Sequence, residues 1–306
     1  MTRHVLAMAD LAAADVAAIL ELAAAPGLPP ALAGAGVALL FEHPSARTRN
    51  AAEMAVFQLG GHPVTIGAAE VGLDRRETTE DVARTLASFH RVIGARVARH
   101  STLERMAAAL DAAGRDVPVV NLLSEREHPS QALADLLTIR QCFGALAGRT
   151  VAYVGDANNV CRSLVDACAL VGCTVRVAAP PGYELAVADL ERAQRLGGTV
   201  RQVSSPEEAA EGADVLYTDV WVSMGDEAEA DRRRHDLSGY RIDEALVARA
   251  APGAIVMHCL PAHRGEEVSA GVIDGPQSRV WQQAENRMHA LRGLLAFLVA
   301  GARAGD

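Results

Sequence analysis

GVALLFEHPSARTRN, Gly36 to Asn50, joins an apolar half to a polar one, and that join sets the architecture. Its first half is an unbroken apolar run too short for a helix, which reads as a fully buried strand over Gly36–Glu42. Ser45 then stands at an N-cap position, opening a helix that reaches Leu59 and stops at Gly60-Gly61. A buried strand that feeds straight into a capped helix is the opening of a parallel α/β sheet. In such sheets ligands collect beyond the carboxyl ends of the strands. Here that place is filled by polar residues, Glu42 to Asn50.

Working outward, the same alternation continues on both sides. A helix from Asp10 to about Ala24 ends in the breaker run PGLPP, Pro26–Pro30. After Gly61 come a short strand, HPVTIG, and a charged stretch from Glu70 to Glu80 that contains Gly72 and reads as a mobile loop. Helices are expected at Asp81–His90 and Leu103–Ala113, strands at Val92–Val97 and Val117–Leu123, and a further helix opens at His128-Pro129. Five more candidate strands follow: TVAYVGD from Thr150, CTVRVAAP, TVRQV, ADVLYTDV and AIVMHC. A polar insertion, Val222–Ser238, breaks this second rhythm and is long enough to suggest a lid. Trp281 to about Ala300 is an amphipathic helix that could pack back on the first half. The expected fold is α/β: two doubly wound parallel-sheet domains, with the active site in the cleft between them. The first domain spans residues 1–143 and is joined by the C-terminal helix at about 284–306; the second spans 149–283.

Composition narrows the partners. Half of the 306 residues are hydrophobic but only 4% are aromatic, which suits Ala-, Val- and Leu-rich helices packed on parallel strands. A net charge of −9 argues against nucleic acid or an anionic membrane as a partner of the whole chain, so any anion site must be a local basic cluster. No stretch reads as a membrane span or as a cleavable leader. Five cysteines, an odd count without metal-type pairing, suit a reducing, cytoplasmic setting.

Three polar motifs carry the chemistry, each after a strand. In the first, Ser45, Ala46, Arg47 and Thr48 lie in an opening helical turn, where free N–H groups and the macrodipole favour an anion. Arg47 adds a fork for phosphate oxygens; Arg49, two residues on, must face elsewhere. The same residues also fit an ordinary serine cap with surface arginines. In the second, His128 and Gln131 project on one side of a helix start and could hydrogen-bond a carbonyl oxygen and a neighbouring NH₂. Arg96 ends the preceding strand of that half. In the third, His258-Cys259-Leu260-Pro261 follows AIVM; the thiol could be a nucleophile, a hydrogen-bonding wall or a spacer. His258 and His263 invite a zinc reading, but no second ligand pair has tetrahedral-site spacing, so no metal is expected.

In the second half, the turn Val154-Gly155-Asp156 has one glycine where a dinucleotide fingerprint needs three, which argues against a nicotinamide cofactor. Asn158 and Asn159 instead offer amides at a helix start, suited to a carboxylate. Asp219 ends a strand opposite them, and a carboxylate facing an amide pair is a clamp for an α-amino acid.

Taken together, these motifs resemble the aspartate/ornithine carbamoyltransferase family, in its ornithine branch. The resemblance runs over essentially the whole chain and in the family's order: Ser45-Ala46-Arg47-Thr48-Arg49, His128-Pro129-Ser130-Gln131, Asp219 through Ser223-Met224-Gly225, His258-Cys259-Leu260-Pro261 and Glu285-Asn286-Arg287. It implies transfer of the carbamoyl group of carbamoyl phosphate to the side-chain amine of L-ornithine, a step of arginine metabolism, without a cofactor. It assigns Ser45, Ala46, Arg47, Thr48, Arg96, His128, Gln131, Cys259, Leu260 and Arg287 to carbamoyl phosphate. It assigns Asn159, Asp219, Ser223 and Met224 to the amino acid, with Arg96, His128, Asp219 and Cys259 as the catalytic set. It further implies a homotrimer, or a multiple of trimers, in which a loop near Gly72–Glu77 reaches a neighbouring site. Departures from the family pattern are Ala46 for threonine, His43 for lysine, and Asp74, Arg75 and Arg76 in a loop that elsewhere carries a Ser-Gln pair. Alternative readings are a carbamoyltransferase for putrescine, lysine or an N-acylated ornithine, and a non-catalytic binding protein.

Overall fold

The strand expected at Gly36 forms over Gly36–Phe41 (β1) and is buried from Val37 onward. The computed structural model describes residues 2–222 and 227–303. The chain forms two units, one running up to Leu137 and resuming at Glu285, the other Thr138–Ala284. Both are parallel α/β sheets, as the alternating pattern requires.

In the first unit β1 is joined by β2 (His62–Gly67), β3 (His90–Arg96) and β4 (Val119–Leu123) in the order β2-β1-β3-β4. All three pairings are parallel, and Phe41 lies opposite both Gly67 and Arg96. The second sheet contains β5 (Thr150–Val154), β6 (Thr174–Ala178), β7 (Thr199–Val203), β8 (Val215–Thr218) and β9 (Ile255–His258) in the order β7-β6-β5-β8-β9. In each sheet the chain winds outward one way from its first strand and then the other way. In open α/β sheets such a reversal of winding, here beside β1 and beside β5, marks where ligands collect beyond the strand ends. Gly155, just past β5, has φ 126, and a Cβ there would lie 3.3 Å from Thr218 Oγ1. The single glycine of that turn therefore serves the close passage of two strand ends.

Three local differences from the sequence reading have physical causes. The first helix begins at Ala13, not Asp10, because Asp10 accepts the Leu6 and Ala7 N–H groups at 2.8 Å and closes a separate turn, Met8–Asp10. The helix expected at Asp81 starts at Thr79, capped by the Thr78 hydroxyl, which accepts the Asp81 N–H at 3.1 Å. The stretch expected to be a loose loop is a tied turn: Arg105 forks onto Asp74 at 2.7 and 3.0 Å and onto Glu80 at 2.6 Å.

The C-terminal helix, Val280–Arg303, packs on Ala13–Ala24 through a glycine. A Cβ at Gly293 would lie 2.6 Å from the Ile19 carbonyl oxygen and 2.8 Å from the Ala23 nitrogen, both backbone atoms. Gly293→Val should therefore force the helices apart and cost about 2 kcal/mol or more. An earlier urea midpoint checks this, and an unchanged midpoint would refute it. Beside it, Arg292 donates to the Ala23 and Ala25 carbonyls at 3.1 and 2.6 Å, closing the end of the first helix. Among the described residues no helix is long and apolar enough to cross a membrane.

In the second unit Asp166 is fully buried on the helix Asn159–Val171 and meets Arg192 Nε at 2.7 Å. Burial outweighs the arginine and raises its pKa to about 6. From about pH 4 to 6 the folded protein keeps a proton that the unfolded chain has lost. The contribution of this carboxyl is thus complete below the unfolded pKa and is lost as pH rises through 6. Asp166→Asn should flatten that fall, gaining about 1 kcal/mol on the wild type between pH 5 and 7.5. Urea unfolding at several pH values tests this; parallel curves would contradict it.

Candidate functional site

The first unit gathers its polar residues at the ends of β1, β3 and β4. Ser45 has extended φ and ψ, and its hydroxyl accepts the Thr48 N–H at 3.4 Å, opening the helix Ala46–Gln58. This cap leaves the Ala46 and Arg47 N–H groups without intrahelical partners, facing outward with the positive end of the helix. Arg47 is exposed and has no ion-pair partner among the described residues. Arg49 turns away to Glu53, at 2.8 Å, and Glu53 also accepts from the Thr65 hydroxyl at 2.6 Å. The two arginines thus divide as their spacing requires: Arg49 is structural, and Arg47 stays exposed. His43 is exposed at the same end of β1.

Behind this helix end lies a buried polar set. Thr48, Arg96, His128, Gln131 and Arg287 are all under a tenth exposed. The Thr48 hydroxyl accepts from Arg287 at 2.6 Å, which ties the C-terminal helix to the first motif. Burial, then the positive charges of Arg287 and Arg96, hold the His128 pKa well below its usual value. His128 is therefore neutral at physiological pH, and its Nδ1 meets the Ser130 hydroxyl at 3.3 Å. The Gln131 amide NH₂ donates to Asp135 at 2.8 Å, which fixes the flip of the side chain. Its Oε1 is buried and accepts no hydrogen bond from the described residues. A buried acceptor without a donor costs free energy unless a ligand supplies one.

The second unit builds a different set at the ends of β5, β8 and β9. The Asp219 carboxylate accepts the Val220 N–H at 2.8 Å and the Cys259 thiol at 2.9 Å on one oxygen. Asn158 donates to its other oxygen at 2.8 Å. The Asn158 carbonyl oxygen in turn caps the helix Asn159–Val171, accepting the Val160 and Cys161 N–H groups at 2.9 and 3.3 Å. The paired asparagines therefore divide their work: Asn158 caps and clamps, while Asn159 is the first, half-buried residue of the helix. The Leu260 N–H is taken by His258 Nδ1 at 2.9 Å, so only its carbonyl is left for a ligand. Ser223 and Met224 lie outside the described residues. Past them, the helix Ala230–Leu237 of the polar insertion is anchored by Arg233, which donates to the Trp221 carbonyl at 2.6 Å, meets Asp156, and lies over the Tyr183 ring at 5.1 Å.

Among the described residues two groups present ligand atoms close enough together for a metal: Asp219 with His258 and Cys259, and His263 with Glu266 and Glu267. In the first, thiol and carboxylate bond each other, and both ring nitrogens of His258 are engaged, with Leu260 and with Glu267. A metal there would have to break these bonds. The donors are thus arranged to hold one another.

Residues 3–141 match the family model for the carbamoyl-P binding domain of aspartate/ornithine carbamoyltransferases, and residues 147–298 match that for the Asp/Orn binding domain. The chain belongs to the aspartate/ornithine carbamoyltransferase family. Among curated relatives, the ornithine carbamoyltransferase of Parafrankia sp. (strain EAN1pec) is 48% identical over 316 residues, covering 99% of this chain and 98% of the relative. Among solved structures, the ornithine carbamoyltransferase from Pyrococcus furiosus superposes with a TM-score of 0.91 at 42% identity, covering 98% of this chain and 97% of that one. The anabolic ornithine carbamoyltransferase from Campylobacter jejuni gives 0.91 at 32% identity, over 98% and 100% of the two chains. Two parallel-sheet domains are thus the family's architecture, as the sequence reading expected.

Sequence reasoning set the Asn158-Asn159 pair opposite Asp219 without telling which of the two meets it, and passed over Glu267 and Arg233 altogether. The Asn158 signal was present, since the first asparagine of such a pair is the better cap. Nothing in spacing points to Glu267 or Arg233, whose partners lie on other elements.

Proposed function

We propose that this protein transfers the carbamoyl group of carbamoyl phosphate to the side-chain amine of L-ornithine, giving L-citrulline and phosphate in arginine metabolism in the cytoplasm. The observation that carries the reading is the buried, unfilled Oε1 of Gln131 three residues from a neutral His128. A carbamoyl group needs both: an acceptor for its NH₂ and donors for its carbonyl oxygen.

The phosphate sits on the Ala46 and Arg47 N–H groups, the Ser45 hydroxyl and the Arg47 guanidinium. Arg96, Thr48 and His128 stabilise the oxyanion that forms at the carbonyl, and Arg287 holds Thr48 in place. On the second unit, Asp219 takes the α-amino group of ornithine and the helix start at Asn159 its α-carboxylate. Ser223 and Met224 belong to the same amino-acid site, and Cys259 and Leu260 to the wall around the reacting groups. The neutral amine attacks the carbonyl carbon, the bond from carbon to the phosphate oxygen breaks, and the departing phosphate takes the amine's proton. No protein base is consumed; positioning and charge supply the acceleration.

The working assembly is a homotrimer in which the Gly72–Glu77 turn reaches a neighbouring site. Asp74 is committed to Arg105, while Arg75 and Arg76 are exposed without ion-pair partners among the described residues. These two arginines are the turn's cations for a phosphate. Phe57 and Phe89, 66% and 72% exposed, are apolar surface that association would cover. Sedimentation equilibrium should give three chain masses; a monomer at working concentration would refute this. The activity is tested with an acceptor panel of ornithine, lysine, putrescine, N-acetylornithine and aspartate. Citrulline from ornithine should exceed every other product, and preference for a diamine or an acylated amine would overturn the acceptor assignment.

A further inference from the structure

A side-chain relay stands behind the third motif and touches none of the reacting groups. Leu260 has φ 61, a region non-glycine residues occupy only when their surroundings impose it. Its N–H donates to His258 Nδ1 at 2.9 Å. A backbone N–H can only donate, so Nδ1 carries no proton and the proton of the neutral ring is on Nε2. Nε2 lies 3.1 Å from Glu267 Oε1, which accepts it. The same oxygen accepts the His263 N–H at 2.6 Å. Glu267 is itself fully buried, and its carbonyl accepts the Ile242 N–H at 2.9 Å. Its neighbour Val268 bridges both Ile242 and Arg264. The opposite tautomer of His258 would set two N–H groups against each other at Leu260 and point a bare nitrogen at a buried carboxylate. Between His258 and Leu260 stands Cys259, whose thiol meets Asp219 at 2.9 Å.

We propose that Glu267 is a positioning residue for carbamoyl transfer: by holding His258 in its Nε2–H form it fixes the backbone at Leu260, and with it the Cys259 thiol against Asp219. This rests on the reading of Asp219 as the seat of the amino acid and of Cys259 as part of the wall around the reacting groups. A well-fixed acceptor for an imidazole N–H sets which ring nitrogen is free to accept, and outer residues of this kind tune function without touching substrate. Loss of Glu267 acts on the use of ornithine and leaves the first unit's hold on carbamoyl phosphate alone.

The test is a double-mutant cycle on kcat/KM for ornithine. His258→Asn places an amide oxygen where Nδ1 stands, an acceptor for the Leu260 N–H that needs no partner to set its protonation. Glu267→Ala should lower kcat/KM by about 20-fold in the wild-type background but by less than about 3-fold in the H258N background. Glu267→Gln, which keeps the accepting oxygen, should stay within about 3-fold of the wild type. The KM for carbamoyl phosphate, held mainly by the first unit, should change by less than about 3-fold throughout. Equal losses in the two backgrounds, or E267Q as impaired as E267A, would overturn the proposal, since a purely structural glutamate behaves that way. If E267A does not fold, Glu267→Asp, one methylene too short to reach the ring, takes its place in the same cycle. An active wild type with an additive cycle removes this proposal alone; a wild type that makes no citrulline removes it together with the reading it rests on.

Discussion

Replacing Arg47 by alanine is expected to raise the half-saturating concentration of carbamoyl phosphate by about 100- to 1000-fold, the worth of a bidentate arginine–phosphate pair. The fold should not notice. Arg47 is exposed and makes no ion pair within the described chain, so its removal breaks nothing, and thermal stability should match the wild type. The same change at Arg287 would be harder to read, because Arg287 is buried and donates to Thr48 at 2.6 Å, so stability and binding would fall together. Steady-state kinetics with carbamoyl phosphate as the varied substrate decide the matter. Wild-type saturation by the R47A variant would remove the phosphate from the first helix.

Asp219→Asn should lower kcat/KM for ornithine by at least about 1000-fold while leaving carbamoyl phosphate binding in place. Two losses add. The substitution removes the negative charge that holds the α-amino group, a charge-assisted contact in a buried site. It also turns an acceptor into a donor: if the new NH₂ replaces the oxygen that faces Asn158, two N–H groups meet at 2.8 Å; if it flips, it meets the Val220 N–H instead. Either way the clamp opens, and with it the seat of the Cys259 thiol. Calorimetric titration with carbamoyl phosphate separates a lost amino-acid site from a lost fold. Unchanged kinetics with ornithine would mean that Asp219 only anchors the end of β8.

Much of this site was legible from local pattern. Gly36–Phe41 is a strand because six residues without a polar interruption must be buried on both faces, and Ser45 could be read as a cap from its place after that strand. The division of Arg47 from Arg49 followed from helical spacing alone. What could not be read depends on partners distant in sequence. The Glu70–Glu80 stretch reads as loose because its charges look solvated; Arg105, on another helix, gathers Asp74 and Glu80 into a turn. The neutral state of His128 comes from burial and from Arg96 and Arg287, one of them 159 positions away in the chain. Glu267 lies nine residues from His258, a spacing with no helical or strand meaning, and only the folded turn brings them together.

The proposed division gives the phosphate and carbamoyl groups to the first unit and the amine's α-carbon end to the second. It is tested most directly by a crystal structure with a bisubstrate analogue, in which a phosphonate is joined through a methylene and an amide to the side-chain nitrogen of ornithine. The phosphonate should lie on the Ala46 and Arg47 N–H groups with the Arg47 guanidinium across it, the amide oxygen should meet Arg96 and His128, and the α-amino group should meet Asp219. A phosphonate bound away from the Ser45–Thr48 turn, or an α-amino group out of reach of Asp219, would contradict it.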